Sequence, residues 1–441
     1  MKPVNAEFPW LKNRGYPHIT PQLNLTADRN KILSMLNNKK YIARYAFFPL
    51  IHSVINERRY KRIAPESNDR AHSYIDSEGH VKKNIKSRPL HYASHFDAII
   101  FGYYADILLK KYEIELLKYP GLSDCITAYR RIPVLNSEKN RSTIHFAHDA
   151  FTEIKTRATG ECEVLKFDIK SFFSRINHQL LKETWAKLLE QSELPEDHYN
   201  VFKAATRFSY IMRDDFRLKK NINGKRAGFD EEKLAKIRKQ GKISFFESLK
   251  EFRNSIKNGD ITLHRFPFKD ENGKPVGIPQ GLPISAVLAN IYLLDFDLKI
   301  LHHLVNKLGV YYRRYSDDII VICKPEQADF VENYVTTAIK ESKVKISEDK
   351  TERFLFVQSF VKDKLSLTSI KITKTEKKVG VPFSYLGFEF YGNKTLVKSA
   401  NLAKFYRRMI RSVKTKSKRA LATSQQSPGT PLVIYRRALY K

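Results

Sequence analysis

A chain of 441 residues with 79 Lys and Arg against 47 Asp and Glu carries a formal net charge of +32. Such an excess attracts phosphate backbones without regard to sequence and makes association fast and salt-sensitive. No 18-residue apolar run offers a membrane span, and the opening Met1 to Glu7 lacks a signal-peptide core. Cys125, Cys162 and Cys323 stand far apart in apolar context, which suits buried thiols in a reducing compartment, cytoplasm by default.

Residues 1–84 read as a mostly helical extension, with apolar periodicity from Ile42 to Ile55 and a basic end, Arg58-Arg59-Tyr60-Lys61-Arg62. That end is either solvated or a face for RNA. Phe96 to Leu117, rich in Ile, Leu and Tyr, forms the next helix. His91 and His95 at its start are polar positions on a packed helix, since no third metal ligand accompanies them. Thr127 to His145 then supplies Arg130, Arg131, Lys139 and Arg141.

Glu163-Val164-Leu165-Lys166-Phe167-Asp168 is a short strand with a carboxylate at its end, and a helical stretch begins after Phe172-Phe173. Residues 214–260 are highly charged, either an elaborated insertion or plain solvated surface. Asp270-Glu271-Asn272-Gly273-Lys274 closes a hairpin. Gly277 to Ser285 then breaks any helix at Pro279, Gly281 and Pro283, and a helix starts with Ser285 as its N-cap. Tyr311 to Tyr315 and Ile319 to Cys323 make a second hairpin, with Asp317 and Asp318 at its tip. Ser-Asp-Asp is ordinary turn chemistry. Two adjacent carboxylates also share space when a cation neutralises them, as a pair of Mg²⁺ ions does in nucleotidyl transfer.

Five motifs in register decide between these readings. Asp168 with Phe172-Phe173, Ile278-Pro279-Gln280-Gly281 with Ser285, and Tyr315-Ser316-Asp317-Asp318 resemble the central motifs of reverse transcriptases, in their usual order. Glu348-Asp349-Lys350-Thr351 resembles the lysine-bearing segment that follows. Ser384-Tyr385-Leu386-Gly387-Phe388 resembles the primer-grip hairpin. The match covers about residues 85 to 395.

The resemblance implies an α+β right-hand polymerase with an antiparallel palm sheet, fingers and a mainly helical thumb. Fingers would occupy 85–160, the palm 161–395 with a fingers insertion at about 197–272, and a basic helical thumb 396–441. Asp168, Asp317 and Asp318 would hold two Mg²⁺ (Mn²⁺ being the alternative ion), with the Ile169 carbonyl as a backbone ligand. Phe173 would be the sugar gate that selects dNTPs, and Phe172 core. Arg130, Arg131 and Arg141 are candidates for the triphosphate. Gln280 and Gly281 would lie against the nucleotide, Lys350 would protonate pyrophosphate, and Tyr385, Leu386 and Gly387 would hold the primer.

From 401 to 441 there are 11 basic and no acidic residues. Lys404, Arg407, Arg408 and Arg411 make the face of a helix for an RNA or duplex backbone, while a tail without structure is the alternative from Lys414. The chain stops inside an apparent helix at 435–441, which leaves open an incomplete thumb. With no mobility module and no Val-Thr-Gly thumb element, the chain looks like a defence-associated bacterial reverse transcriptase working with a noncoding RNA and making DNA from dNTPs. A retron-type enzyme and a silent RNA-binding scaffold are the alternatives.

Overall fold

A six-stranded antiparallel sheet organises the molecule, in the order Lys377–Val379, Lys364–Ile372, Glu352–Val361, Glu161–Asp168, Asp318–Cys323, Tyr311–Tyr315. The computed structural model describes residues 8–59, 61–62, 69–76, 78–218, 228–361, 364–426 and 429. Strands alternate their side chains between two faces. Leu165, Phe167, Ile319, Val321 and Cys323 therefore enter one apolar core, and Cys162, Val164, Ile320 and Ile322 the other. The first core is closed by the helices His95–Leu117, Ser285–Tyr292 and Ala328–Glu341. The second is closed by Thr143–Arg157 and by the sheet Phe383–Tyr385, Phe388–Phe390, Thr395–Val397. Burial on both faces stabilises these strands by about 1.5–3 kcal/mol for each large aliphatic or aromatic side chain. It also fixes their register, since a one-residue slip would exchange the faces. The described residues are mixed helix and strand, an α+β architecture as expected.

Ahead of this sheet the helical expectation fails. The helix Lys39–Arg44 is followed by the strand Leu50–Arg58, not by a helix reaching Ile55. Pro49 is the reason: it disfavours helical backbone at Phe48, and the β-branched Ile51, Val54 and Ile55 suit the pleat that follows. Leu50–Arg58 pairs antiparallel with Ile85–Tyr92 and parallel with Tyr210–Met212. Strands from the expected amino-terminal extension, fingers and insertion thus share one sheet, which joins residues on both sides of the expected boundary at residue 84.

The remaining expectations are mostly met. Ser94 caps the helix His95–Leu117 by accepting from the Asp97 amide. Asp97, fully buried, accepts from Tyr45 Oη at 2.8 Å and the Phe48 amide at 2.9 Å, which pins the amino-terminal segment to that helix. The Asp270 carboxylate organises its hairpin by accepting from the Asn272 and Lys274 amides, with Gly273 at φ +76°. The terminal helix runs Ser399–Gln426, past the point where a tail without structure was the alternative. The helix expected at 435–441 lies outside the described residues, as do Tyr60, Lys219 and Lys220.

Candidate active site

Register brings the three aspartates together. Asp168 ends its strand directly opposite Asp318, and the Ile169 amide donates to the Asp317 carbonyl at 3.1 Å. The turn between the hairpin strands is tight because Ser316 takes φ +61°. Burial pushes the Asp318 carboxyl up to about 6; repulsion from Asp317 and Asp168 adds to this, and Lys166 and Lys350 oppose it. Asp317 is raised too, by burial first and by Asp168. Three carboxylates outnumber the cations beside them, and the half-exposed Lys350 amine pairs directly with Asp168.

Hard oxygen donors short of positive charge fit a divalent cation. Among the described residues only Asp76, Glu78 and His80 hold ligand atoms all within 4.8 Å of one another. The three palm aspartates are therefore spread wider, and as placed they do not close around a single ion. The exposed Asp76 group pairs with Lys82 at 2.5 Å and organises its own turn.

Behind the carboxylates lies a layer that the sequence did not announce. Arg314 and Asp297 are both fully buried and pair bidentately, Nε to Oδ1 at 2.8 Å and Nη2 to Oδ2 at 2.5 Å. Tyr312 Oη donates to Asp297 at 2.6 Å. Arg314 Nη1 donates to the Ser316 carbonyl at 3.2 Å and to Asn290 Oδ1 at 3.3 Å. Asn290 in turn donates to the Ala128 carbonyl at 2.8 Å. The carbonyl that shapes the catalytic turn is thus held by a buried cation, whose charge Asp297 balances. The available signal was a charged residue at an inward position of an apolar strand.

The turn after Gly277 closes the floor of the site. The Gly277 amide donates to the Ile176 carbonyl at 2.6 Å and the Ile278 amide to the Phe173 carbonyl at 2.7 Å. Gly281 sits at φ +117°, and a Cβ there would lie 2.5 Å from the His91 carbonyl oxygen, so only glycine fits. The His91 amide donates to the Gln280 carbonyl at 2.8 Å, which ties this turn to the fingers strand. Phe172 is core and Phe173 partly exposed, as expected. Ser285 is not the N-cap: Ile284 holds that position, and the Ser285 hydroxyl donates to the Pro279 carbonyl at 2.6 Å. Pro279 offers its carbonyl within the turn, and that acceptor draws the hydroxyl away from the helix amides.

Residues 253–390 match the family model described as reverse transcriptase (RNA-dependent DNA polymerase). That stretch is just under a third of the chain. The match supports RNA-directed DNA polymerase activity. It spans Gln280, Asp317, Asp318, Lys350 and Gly387, while Asp168 lies outside it and joins through strand pairing. Similar solved structures include apo telomerase from Candida tropicalis truncated from its C-terminal domain, at 12% identity and TM-score 0.41, covering 72% of this chain and 53% of that one. Telomerase from Candida albicans with a TWJ fragment of telomeric RNA gives 12% and 0.41, covering 84% and 49%. The chain spans about half the length of these structures. No curated protein matches it.

Around the candidate site, the basic residues sort differently from expectation. Arg130 is unavailable to a triphosphate: its side chain is 4% exposed, and it donates to both Glu113 oxygens, at 2.8 and 2.6 Å. Arg141 is held by Asp149 and lies over the Phe146 ring at 5.4 Å. Arg131 and Lys139 are exposed. A further cation that interacts with Asp168 is Lys86, on the strand Ile85–Tyr92. Burial lowers its pKa, the charges of Arg88, Arg59 and Lys350 lower it further, and Asp168 raises it.

At the primer-grip hairpin, Tyr385 is 2% exposed with its hydroxyl unpartnered, so its side chain is core and does not reach a primer. The alternation of Phe383, Tyr385 and Phe390 into the second core is the cause. Leu386 and Gly387 form the turn, both at positive φ, and the Gly387 carbonyl accepts from the Lys398 amide at 3.0 Å. On the terminal helix Lys404 pairs with Glu57 on the strand Leu50–Arg58, and Arg408 and Arg411 are exposed. Arg407, also exposed, folds back onto the Ala403 carbonyl at 3.2 Å.

Proposed function

We propose that this protein is an RNA-directed DNA polymerase that adds dNTPs to a 3′ end, with Asp168, Asp317 and Asp318 holding two Mg²⁺ ions and the Ile169 carbonyl as a further ligand. The observation that carries the reading is the register that sets Asp318 opposite Asp168, with Asp317 beside them. When bound, such ions supply activation of the attacking hydroxyl and neutralise charge on the departing pyrophosphate. The protein's own groups do the rest. In this reading the half-buried Phe173 would be the aromatic that blocks a 2′-hydroxyl, and Gln280 and Gly281 would face the nascent base pair. Lys86 and Arg131 attract the triphosphate as charge partners. Lys350, half-exposed and paired with Asp168, is the proton source for pyrophosphate.

The deciding experiment replaces Asp317 and Asp318 together with Ala. Incorporation is expected to vanish while RNA retention persists, because basic surfaces carry binding. Wild-type incorporation by the double variant would sink the assignment, and a wild-type protein that retains RNA but never incorporates would identify a scaffold. For the biological role we propose antiphage defence in the cytoplasm with a partner noncoding RNA, on the strength of the family resemblance and the +32 charge. No helix of the described residues is long and apolar enough to cross a membrane. Sequencing nucleic acid that co-purifies with the protein tests this role. A single structured RNA with its complementary DNA agrees with it, and DNA joined to that RNA through a branch would indicate a retron-type enzyme instead.

A further inference from the structure

Tyr129 stands beside the catalytic turn in a conformation that packing alone does not explain. The residues before it are fastened along the open edge of the palm sheet. Ile126 bridges to Arg314, and the Thr127 amide and hydroxyl both donate to the Arg314 carbonyl, at 3.0 and 3.2 Å. The Ala128 carbonyl accepts from Asn290 at 2.8 Å. Tyr129 then takes φ +61°, a left-handed backbone that a bulky side chain adopts only at a cost. Its ring stays 42% exposed, although the three residues before it are buried. Its hydroxyl lies 3.1 Å from Ser316 Oγ, and Ser316 is itself at φ +61° next to Asp317.

Two strained residues are therefore joined hydroxyl to hydroxyl across the turn that carries the catalytic carboxylates, and the joining ring is presented to solvent. The ring is thus one hydrogen bond from the residue that precedes Asp317, close enough to meet a strand end brought to that carboxylate. We propose that Tyr129 is a positioning residue for the growing strand: its ring, held beside Asp317 by the fastened backbone before it, supports the 3′-terminal nucleotide. This rests on the polymerase reading above. The contact is with a nucleobase and sugar, so it is tolerant of sequence.

The test places 2-aminopurine at the 3′ end of a primer annealed to template RNA, with the full-length protein as Y129L, Y129F and wild type. Stacking on the ring should quench the terminal fluorophore in wild type and Y129F, and Y129L should restore its emission. In steady-state extension Y129L should raise KM for the primer end by about tenfold, as for one lost base stack. KM for dNTP should stay within about twofold, the scale of an untouched site. Y129F keeps the ring, so its primer KM should stay close to wild type; this guards against misreading a folding defect in Y129L. Unchanged quenching and primer KM in Y129L would overturn the proposal, as would an effect on dNTP KM alone. Quenching reads the bound duplex without turnover, so loss of the polymerase reading would leave this contact separately measurable.

Discussion

Replacing Asp297 with Ala strands the Arg314 guanidinium in the palm interior. Both side chains have 0% relative exposure, so no solvent screens the charge that remains. Breaking one side of such a buried pair costs about 3–5 kcal/mol, mostly for the uncompensated charge. A control lies two residues away: Asp295 pairs with Lys187 at 3.0 Å with side chains 49% and 65% exposed. An exposed pair of that kind is worth roughly 0.2–1 kcal/mol. Native-state amide hydrogen exchange at Tyr311–Tyr315 and Asp318–Cys323 reads the local loss directly, without assuming two-state unfolding of a chain this long. D297A should lower protection there several-fold more than D295A does. It should also depress incorporation, because Arg314 holds the Ser316 carbonyl that shapes the catalytic turn. The double change D297L with R314M removes both charges and should recover most of the stability. It should not restore activity, since the donor to Ser316 is gone. Equal losses in D297A and D295A would refute the reasoning.

Four further outcomes are expected. K86A should raise KM for dNTP by about tenfold while R130A, which removes a buried partner of Glu113, lowers stability with KM nearly unchanged; thermal melts beside kinetics separate the two. F173A should shift the dNTP-to-rNTP preference toward ribonucleotides by roughly tenfold or more, measured as a ratio of kcat/KM, and a shift in F172A instead would show the wrong aromatic was chosen. Asp318 has a folded-state pKa of about 6, above its ordinary value of 3.8. The Asp318 contribution to the stability of the metal-free protein should thus be fully present below about pH 4 and be lost as pH rises through 6. D318N should flatten that slope in urea titrations across this range, and divalent-ion affinity in the wild type should climb over the same interval. Neutralising Arg407, Arg408 and Arg411 together should reduce the log–log salt slope of RNA binding by roughly 2–3 units and shorten products, and an unaltered slope would place this helix face in solvent.

The carboxylates were legible because their chemistry is local: Asp-Asp between two apolar runs, and a strand ending in Asp168, each show in a ten-residue window. Their mutual register was not, since it depends on pairing strands far apart in the chain. Arg130 looked like a phosphate ligand because no sequence window shows Glu113 turning toward it from the preceding helix. Lys86 went unnoticed among many lysines for the same reason, since its value lies in what faces it across the cleft. Tyr385 was assigned to the primer by motif position, yet the period-2 pattern around it already pointed its ring inward. The strand Leu50–Arg58 was hidden by apolar spacing that also suits a helix, and Pro49 was the signal to weigh more heavily.

The parallel pairing of Leu50–Arg58 with Tyr210–Met212 has a bearing on how the protein is made. As the chain leaves the ribosome, the amino-terminal strand finds its antiparallel neighbour early, but its other edge stays open until residue 212 has been synthesised. Closing so long a loop is slow, because its entropy is lost before the contact repays it. During that interval Ile51, buried in the finished protein against Ile211 and Phe245, has only half its surroundings. The nascent fingers should therefore bind chaperones until the insertion arrives, and fragments ending before residue 210 should aggregate even though they contain Asp168 and its whole strand.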